Sequence, residues 1–237
     1  MAKRILIKLS GEGLSNKKEG LSIDPAVVED IAKQIRTLME DDYEVAIVVG
    51  GGNFWRGASA EKNGIPRNRA DYIGMLATIM NALAVQSGFE LLKIKTRVMS
   101  SLNVDQKVAE NYINEKAMIA LKNKEVVIFA GGTGRPYFTT DTAAALVASE
   151  ISADTILMGK NGVKGIYDSD PKTNPNAKKF DKLTYDEIIT KGLQVMDSTA
   201  ATMARDNNIE LIVFDITEKD ALNGAVSGRI ERTLVTK

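Results

Sequence analysis

The sequence predicts an α/β fold, with a mostly parallel, twisted sheet and helices on both of its faces. Short apolar runs that end abruptly at glycine indicate buried strands, and longer segments with apolar residues at helical spacing separate them. Strands that alternate with helices along a chain favour a parallel sheet covered on both sides. Because the 237 residues contain no long linker, repeat or low-complexity segment, we expect a single domain over residues 1–237.

The predicted elements follow in order along the chain. Strands are expected near residues 5–9, 43–49, 94–100, 126–130, 155–158 and 211–214, with an edge strand at 233–236. Helices are expected near residues 25–38, 70–87, 112–122, 142–151, 184–191 and 196–205. Asp24 followed by Pro25 is a typical helix start, and Thr140 or Asp141 is the expected cap of the fourth helix. The polar segment 14–22 is expected to be mobile.

Composition restricts the chemistry. The chain has no cysteine, which excludes disulfides and thiolate zinc sites, and no histidine, which removes the commonest general base. A metal must therefore be held by oxygen, which favours Mg²⁺. Basic and acidic residues number 31 each, so net charge points to neither nucleic acid nor membrane. The first apolar run is too short for a signal peptide or a membrane span, and we expect a cytoplasmic protein.

Three glycine-rich loops that follow predicted strands, at 8–13, 50–57 and 131–141, form the candidate site. Ligands of open parallel sheets bind beyond the carboxyl ends of the strands. Turn geometry explains one such loop, but three at matching positions indicate a shared ligand. Backbone N–H groups beside the charge of Lys8 suit a polyphosphate. The chain has neither a Walker A nor a G-x-G-x-x-G pattern, so an ordinary P-loop and nicotinamide binding are unsupported.

Several candidate side chains have a second interpretation. The planar charge of Arg56 suits phosphate, but taken alone this residue is better explained as a surface arginine, and only the three loops together favour phosphate. Thr139, Thr140 and Asp141 fall at a predicted helix N-terminus, where the helix dipole attracts an anion, although capping alone also explains them. Asp71 is either a ligand-binding residue or an acid at the start of a helix.

Several short segments, some of them within the three loops, together form a recognisable sequence pattern. They are KLSGE at 8–12, GGGN at 50–53, Asp71 with GMLAT at 74–78, GTG at 132–134, FTTD at 138–141, DSDP at 168–171, LTY at 183–185 and VMD at 195–197. In these segments the chain closely resembles bacterial UMP kinases, which are members of the amino acid kinase family. The resemblance covers nearly the whole chain. The segment 160–165, KNGVKG, is one residue longer than the family pattern.

The resemblance implies a role for each candidate residue. Lys8 and Arg56 would stabilise the transferring phosphoryl group, and Asp141 would orient Lys8 or organise the Mg²⁺ that accompanies ATP. ATP would be held by Lys8, Leu9, Ser10, Gly11, Gly52, Arg56, Asn161, Tyr167 and Asp170. UMP would be held by Gly51, Asp71 (through its ribose hydroxyls), Thr133, Gly134, Arg135, Pro136, Tyr137, Phe138, Thr139 and Thr140. By residue type alone, Tyr167 is more often a packing residue and Asp170 a turn former.

The activity that the resemblance implies is transfer of the γ-phosphoryl group of MgATP to UMP, in pyrimidine nucleotide biosynthesis. We expect in-line transfer without a general base, with Mg²⁺ held mainly by the nucleotide phosphates. The family also implies a homohexamer and an allosteric enzyme, and residues 16–21 correspond to a region tied to GTP activation in some members.

Two alternatives remain open. A kinase of the same fold that acts on a carboxylate or carbamate is disfavoured by Asp71 and the threonine-rich third loop, because a small acid needs no ribose contact. A non-catalytic nucleotide sensor is disfavoured by the presence of both Lys8 and Asp141.

Overall fold

The computed structural model describes residues 3–57 and 64–237, and one sheet organises these residues. The strands are β1 (Arg4–Leu9), β2 (Glu44–Val49), β3 (Thr96–Ser100), β4 (Glu110–Asn111), β5 (Val126–Ala130), β6 (Thr155–Lys160), β7 (Ile166–Tyr167), β8 (Lys179–Phe180), β9 (Lys182–Thr184), β10 (Glu210–Asp215) and β11 (Arg232–Thr236). The main sheet of the described chain contains nine of them, in the order β4-β3-β5-β2-β1-β6-β10-β11-β9. Its pairs are parallel except β10 with β11, and β7 and β8 form a separate antiparallel pair.

Helices cover both faces of the sheet, as predicted. They are α1 (Pro25–Glu40), α2 (Arg67–Leu91), α3 (Asn114–Lys122), α4 (Thr140–Glu150), α5 (Tyr185–Lys191), α6 (Ser198–Asp206) and α7 (Ala221–Ser227). Side chains of a strand alternate between the two faces, so Ile5 and Ile7 pack with α1, α2 and α7, while Leu6 packs in the core that contains α3 to α6. The two apolar cores lie on opposite faces of the same sheet.

The end of the chain differs from the sequence prediction. The strand expected at the edge, β11, lies inside the sheet, between β10 and the three-residue strand β9. The prediction placed Thr184 in a helix, whereas Thr184 ends β9 and caps α5 through its side chain. Helix α7 was not predicted, because its sequence ALNGAVS has weak helical periodicity.

The segment after the first glycine loop is also more ordered than expected. Leu14 is fully buried and belongs to the same apolar core as α1. The backbones of Asn16 and Leu21 exchange hydrogen bonds at 2.9 and 3.0 Å, which closes a small loop over the intervening residues. The expectation of a mobile segment is therefore wrong for Leu14, whose apolar side chain stabilises the start of the loop.

Helix α2 spans 25 residues and extends beyond the predicted 70–87 at both ends. Within the described chain it is the one helix long and apolar enough to cross a membrane, and 44% of its apolar stretch is buried in the fold. Its inner face packs on the sheet through Val85 and Phe89. Its outer face exposes an apolar stripe formed by Tyr72, Ile73, Leu76 and Met80.

Candidate active site

The three glycine loops begin side by side, because β5, β2 and β1 are parallel neighbours and all end at the same edge of the sheet. The first two loops touch: a side-chain carbon on Gly11 would lie 2.7 Å from the backbone nitrogen of Gly52. Only glycine allows this approach. Ser10 caps the short helical turn Gly11–Leu14 by accepting a hydrogen bond from the Gly13 N–H at 3.0 Å. The structure thus brings the predicted phosphate loops together.

Lys8 and Asp141 form an ion pair at this edge of the sheet. Lys8 lies near the end of β1 and Asp141 in the first turn of α4, and Lys8 Nζ lies 2.9 Å from Asp141 Oδ1. The two side chains are 12% and 18% exposed, so water screens the pair only partly. The contact lacks hydrogen-bond geometry, and Oδ1 accepts no hydrogen bond from the described residues. Asp141 therefore holds the Lys8 ammonium in place and retains capacity for a further donor.

The cap of α4 is Thr139, one residue earlier than predicted. Its hydroxyl oxygen accepts hydrogen bonds from the N–H groups of Asp141 and Thr142, both at 3.1 Å, and its O–H donates to Asp197. Thr142 donates to the same Asp197 oxygen at 2.9 Å. These bonds use the full capacity of the Thr139 hydroxyl. Its side chain is therefore committed to positioning α4, and with it Asp141.

Asp197 is a residue that the sequence analysis matched to the family but gave no role. It joins the start of α4 to the start of α6, which it caps through the Ala200 N–H at 2.9 Å. Burial raises the pKa of Asp197, but hydrogen bonds from Thr139, Ala200 and Thr142 outweigh it and leave the pKa below its ordinary value. A charged Asp197 therefore stabilises the α4 start that carries Asp141.

Helix α2 holds the second and third glycine loops through polar side chains on one face. Thr78 accepts the Gly131 N–H at 2.7 Å and donates to the Met75 carbonyl at 2.6 Å. Three residues further on, Asn81 is fully buried and donates to the Gly50 carbonyl at 2.6 Å. Residues three apart on a helix lie on the same side, so one helix face sets the position of both loops.

Asn81 also forms a reciprocal amide pair with Asn53 of the second loop. Asn81 Nδ2 donates to Asn53 Oδ1 at 2.7 Å, and Asn53 Nδ2 donates to Asn81 Oδ1 at 2.9 Å. Asn53 further donates to the Ser22 carbonyl at 2.7 Å. The pair joins the loop, α2 and the segment before α1.

We expect Asn81→Leu to lower the free energy of unfolding by about 1–3 kcal/mol, because it leaves the buried Gly50 carbonyl without its donor and breaks the amide pair with Asn53. The KM values of the predicted nucleotide substrates should also rise, since the second loop loses its anchor. Chemical denaturation and steady-state kinetics measure the two effects. Asn176→Leu, at an exposed loop asparagine, is the control and should change stability by at most about 0.5 kcal/mol. Equal stability of the two variants would contradict an anchoring role for Asn81.

Asp71 lies in the first turns of α2 and contacts the third loop. Both of its oxygens lie 3.1 Å from Arg67 Nε, and Oδ2 accepts the Tyr137 N–H at 2.7 Å. Tyr137 has a φ of 72°, a conformation that non-glycine residues rarely adopt, and the Arg67 guanidinium lies 5.8 Å from its ring centre. Asp71 therefore positions the third loop, and one of its oxygens has room for a further donor.

The other predicted residues of the third loop range from partly buried to exposed. Gly131, Gly132 and Gly134 all have positive φ, and a side-chain carbon on Gly134 would lie 2.9 Å from the Ser101 carbonyl oxygen. Thr133 closes a local turn with Arg135. Tyr137 and Phe138 are 67% and 49% exposed. Their contact with a nucleotide stays a prediction, as does that of Pro136 and the half-buried Thr140.

Arg56 lies at the mouth of the site and is 62% exposed. Its guanidinium contacts the carboxylate of Glu12 in the first loop, which Lys17 also approaches at 3.8 Å. The sequence analysis did not identify Glu12 as a partner. A nucleotide phosphate that binds Arg56 would therefore compete with this carboxylate.

Two further residues that the resemblance assigns to ATP, Tyr167 and Asp170, lie at a separate part of the same edge. Tyr167 and Asp170 line a cavity of about 520 Å³, with Val195 and Lys160. Asp170 also closes a turn by accepting the Lys172 N–H at 2.9 Å, so its turn-forming role is observed. Asn161 does not line this cavity and lies beside Gly13 of the first loop.

Mg²⁺ is the metal that the family implies. Among the described residues, no group of three or more acidic side chains could hold a metal ion by itself. Asp141 Oδ1 has spare acceptor capacity beside Lys8, which fits a contact to the hydration shell of a cation carried by phosphate.

The fold and these loops define the class of protein. A parallel sheet whose strand ends carry glycine loops around a fixed lysine is a phosphate-binding α/β scaffold. Residues 3–215 match the amino acid kinase family. The chain therefore belongs to the amino acid kinase family.

Individual relatives narrow the comparison. Uridylate kinases from Mycoplasmopsis pulmonis (strain UAB CTIP) and Mycoplasmopsis synoviae (strain 53) are each 67% identical over 235 residues, which is 99% of this chain and 97% and 98% of theirs. The crystal structure of UMP kinase from Ureaplasma parvum matches with a TM-score of 0.95 and 41% identity, and the match covers both chains completely. The predicted αβα fold and the predicted resemblance to bacterial UMP kinases are confirmed.

Proposed function

We propose that this protein transfers the γ-phosphoryl group of MgATP to UMP and releases UDP and ADP. The observation that carries this proposal is the Lys8–Asp141 ion pair, held at 2.9 Å where the three glycine loops meet. The names of the relatives supply the acceptor and the class of enzyme, a nucleoside monophosphate kinase.

The mechanism follows from charge and position. In phosphoryl transfer, charge spreads over the oxygens of the moving group, and a fixed cation stabilises it better than mobile water does. Asp141 and the strand hold the Lys8 ammonium before substrate arrives, so little reorganisation is needed. Arg56 would add a second cation after leaving Glu12. A cation carried by ATP would neutralise phosphate charge, and Asp141, whose Oδ1 accepts no hydrogen bond from the described residues, would contact its hydration shell.

A general base is unnecessary for this acceptor. The second pKa of a phosphate monoester is near about 6, so at neutral pH most of the acceptor already carries a free nucleophilic oxygen. The chain has no histidine to act as a base. The reaction we propose is therefore in-line displacement, driven by positioning and positive charge.

The third loop favours a nucleotide acceptor over a small acid. Both Asp71 oxygens lie near Arg67 Nε, and Oδ2 also accepts the Tyr137 N–H. This arrangement holds a loop in which Tyr137 and Phe138 are exposed. A carboxylate or carbamate acceptor has no ribose or base for such a surface to contact. A nucleotide sensor would not need a lysine fixed at the point of transfer.

A coupled assay of ADP release tests the proposal. With MgATP, we expect UMP to support turnover well above CMP, dUMP and acetylglutamate. Turnover with acetylglutamate alone would indicate the carboxylate kinase. Binding of nucleotides without ADP release from any acceptor would indicate the sensor.

The assembly and regulation that the family implies are also part of the proposal. The apolar stripe of α2 exposes Leu76 and Met80 by 51% each, and burial against further copies of the chain would cover it. We propose a cytoplasmic homohexamer under allosteric control. Sedimentation of the wild type and of Leu76→Glu tests the assembly: the substitution should dissociate it, because a charge would lie in an apolar interface.

A further inference from the structure

We infer that Lys160 is a second phosphate-binding lysine, which contacts the β-phosphate of the donor nucleotide. This inference rests on the proposed function, since it assigns a further residue to the donor side of the same site. The sequence analysis passed over Lys160 and assigned its neighbour Asn161 to ATP.

The position of Lys160 supports a contact with the β-phosphate of the donor nucleotide. Lys160 ends β6, which pairs with β1 in parallel, and the paired register places Met158 opposite Lys8. Its side chain lines the cavity that contains Tyr167 and Asp170. Lys160 therefore stands between that cavity and the Lys8–Asp141 pair. A nucleotide with its nucleoside in the cavity and its terminal phosphate at Lys8 must pass its β-phosphate between them.

The positive charge of Lys160 is only partly compensated by its neighbours. Its ammonium donates to the Val195 carbonyl at 2.7 Å, which is a neutral partner. The nearby Asp141 is already paired with Lys8. At the mouth of the site, the charges of Glu12 and Arg56 compensate each other in an ion pair. Lys160 thus supplies a positive charge that its neighbours balance only in part, and a polyphosphate would compensate it.

Lys160 is half-buried, and its partial burial favours the binding of an anion beside it. Burial lowers the pKa of its ammonium, and the positive charge of Lys8 lowers it further, while Asp141 acts in the opposite direction. A lysine kept in such surroundings is destabilised until a negative group arrives. In the absence of an anion, the hydrogen bond to the Val195 carbonyl orients the Lys160 ammonium.

The contact would act on the leaving group. The bond between the γ-phosphorus and the β,γ-bridging oxygen breaks, and a bond from the γ-phosphorus to a UMP phosphate oxygen forms. The electron pair of the broken bond stays on the bridging oxygen, which becomes a terminal β-phosphate oxygen of ADP. No proton is transferred in this step. A cation at the β-phosphate stabilises the charge that develops there.

The test uses Lys160→Met, which keeps the length of the side chain and removes its charge. We expect kcat/KM for MgATP to fall by about 10²-fold, the effect of losing a charge-stabilising group in such a site. The KM for UMP should stay within about 3-fold, and Lys160→Arg should keep most of the activity because it keeps the charge. Lys164→Met is the matched control: Lys164 follows on the same segment, but Glu231 at 2.7 Å and Glu218 at 3.7 Å compensate it.

Equilibrium binding separates a phosphate contact from a structural role. Lys160→Met should weaken binding of ADP by about 10-fold or more and leave AMP binding unchanged, because AMP has no β-phosphate. Equal losses for ADP and AMP would mean that the cavity is distorted, and no loss for ADP would mean that there is no contact. Either result overturns the inference. If the wild type makes no UDP, the proposed function fails, but ADP and AMP binding still decides the role of Lys160.

Amine labelling of the wild type gives the answer even if the variant does not fold. At about pH 8, well below the ordinary lysine pKa, we expect Lys160 to be acylated and ADP to protect it, while AMP gives little protection. The compensated Lys164 should label equally with and without either nucleotide. Failure of ADP to protect Lys160 would contradict the inference.

Discussion

Replacing Lys8 by methionine should lower the rate of phosphoryl transfer by at least about 10²-fold, with little change in UMP binding. The ammonium of Lys8 lies 2.9 Å from Asp141 and is only partly exposed, so its charge acts in a setting that water screens weakly. Methionine removes that charge and nearly keeps the volume of the side chain. Turnover under saturating substrates measures the effect on the chemical step.

The Asp141 partner supplies the control. If the two side chains act as a unit, Asp141→Asn should cost nearly as much as Lys8→Met, and the double variant should be little worse than either alone. Lys33→Met removes one end of an exposed pair with Glu29 and should leave the rate unchanged. Near-normal turnover of Lys8→Met would remove this lysine from the mechanism.

Replacing Asp71 by asparagine should raise the KM for UMP by about 10-fold to 100-fold and that for ATP much less. The loss corresponds to about 1.4–2.7 kcal/mol, which agrees with the range for a hydrogen bond to a charged group. The structure adds a second reason: Asp71 accepts the N–H of Tyr137, whose positive φ is costly without such support. Asp71→Asn should therefore displace the third loop and weaken UMP binding at the same time.

Two further measurements separate loop positioning from ribose contact. Arg67→Met leaves the Asp71 carboxylate in place but removes its arginine partner, so it should raise the KM for UMP less than Asp71→Asn does. If Asp71 accepts from the ribose, Asp71→Asn should penalise UMP more than dUMP, which lacks the 2′-hydroxyl. Equal losses for UMP and ATP would instead indicate general destabilisation of α2.

The sequence predicted those parts of the fold that local pattern determines. β2 and β5 are apolar runs that end at glycine, and β1 has an apolar run at 5–7 before Lys8. Their alternation with helices predicted a mostly parallel sheet, but not the order of its strands. β9 has three residues and owes its existence to β11, about 50 residues further along the chain. Such a strand is defined by its partner, and no periodicity marks it.

The same division holds for the site. Lys8 at a strand end, the glycine loops and Asp141 at a helix start were visible from the sequence pattern. The family resemblance then gave Asp71 and Asp141 their roles. The support of the site was not visible, because each supporting side chain bonds a distant segment. Thr78 reaches a loop 53 residues away, and Asp197 reaches Thr139 58 residues away. A polar residue within the apolar run of the predicted helix was the available signal for Asn81.

We propose that Lys8 and Asp141 act in the transfer of a phosphoryl group to an acceptor that is already ionised, without an enzyme base. The direct measurement is the pH dependence of kcat/KM for UMP and for a UMP analogue, a phosphonate or thiophosphate, whose second pKa differs and which still turns over. We predict that the acidic limb moves with the pKa of the acceptor and in the same direction. If the acidic limb of the pH profile stays in place while the acceptor pKa changes, an enzyme carboxylate such as Asp141 is titrating. That result would contradict transfer without an enzyme base.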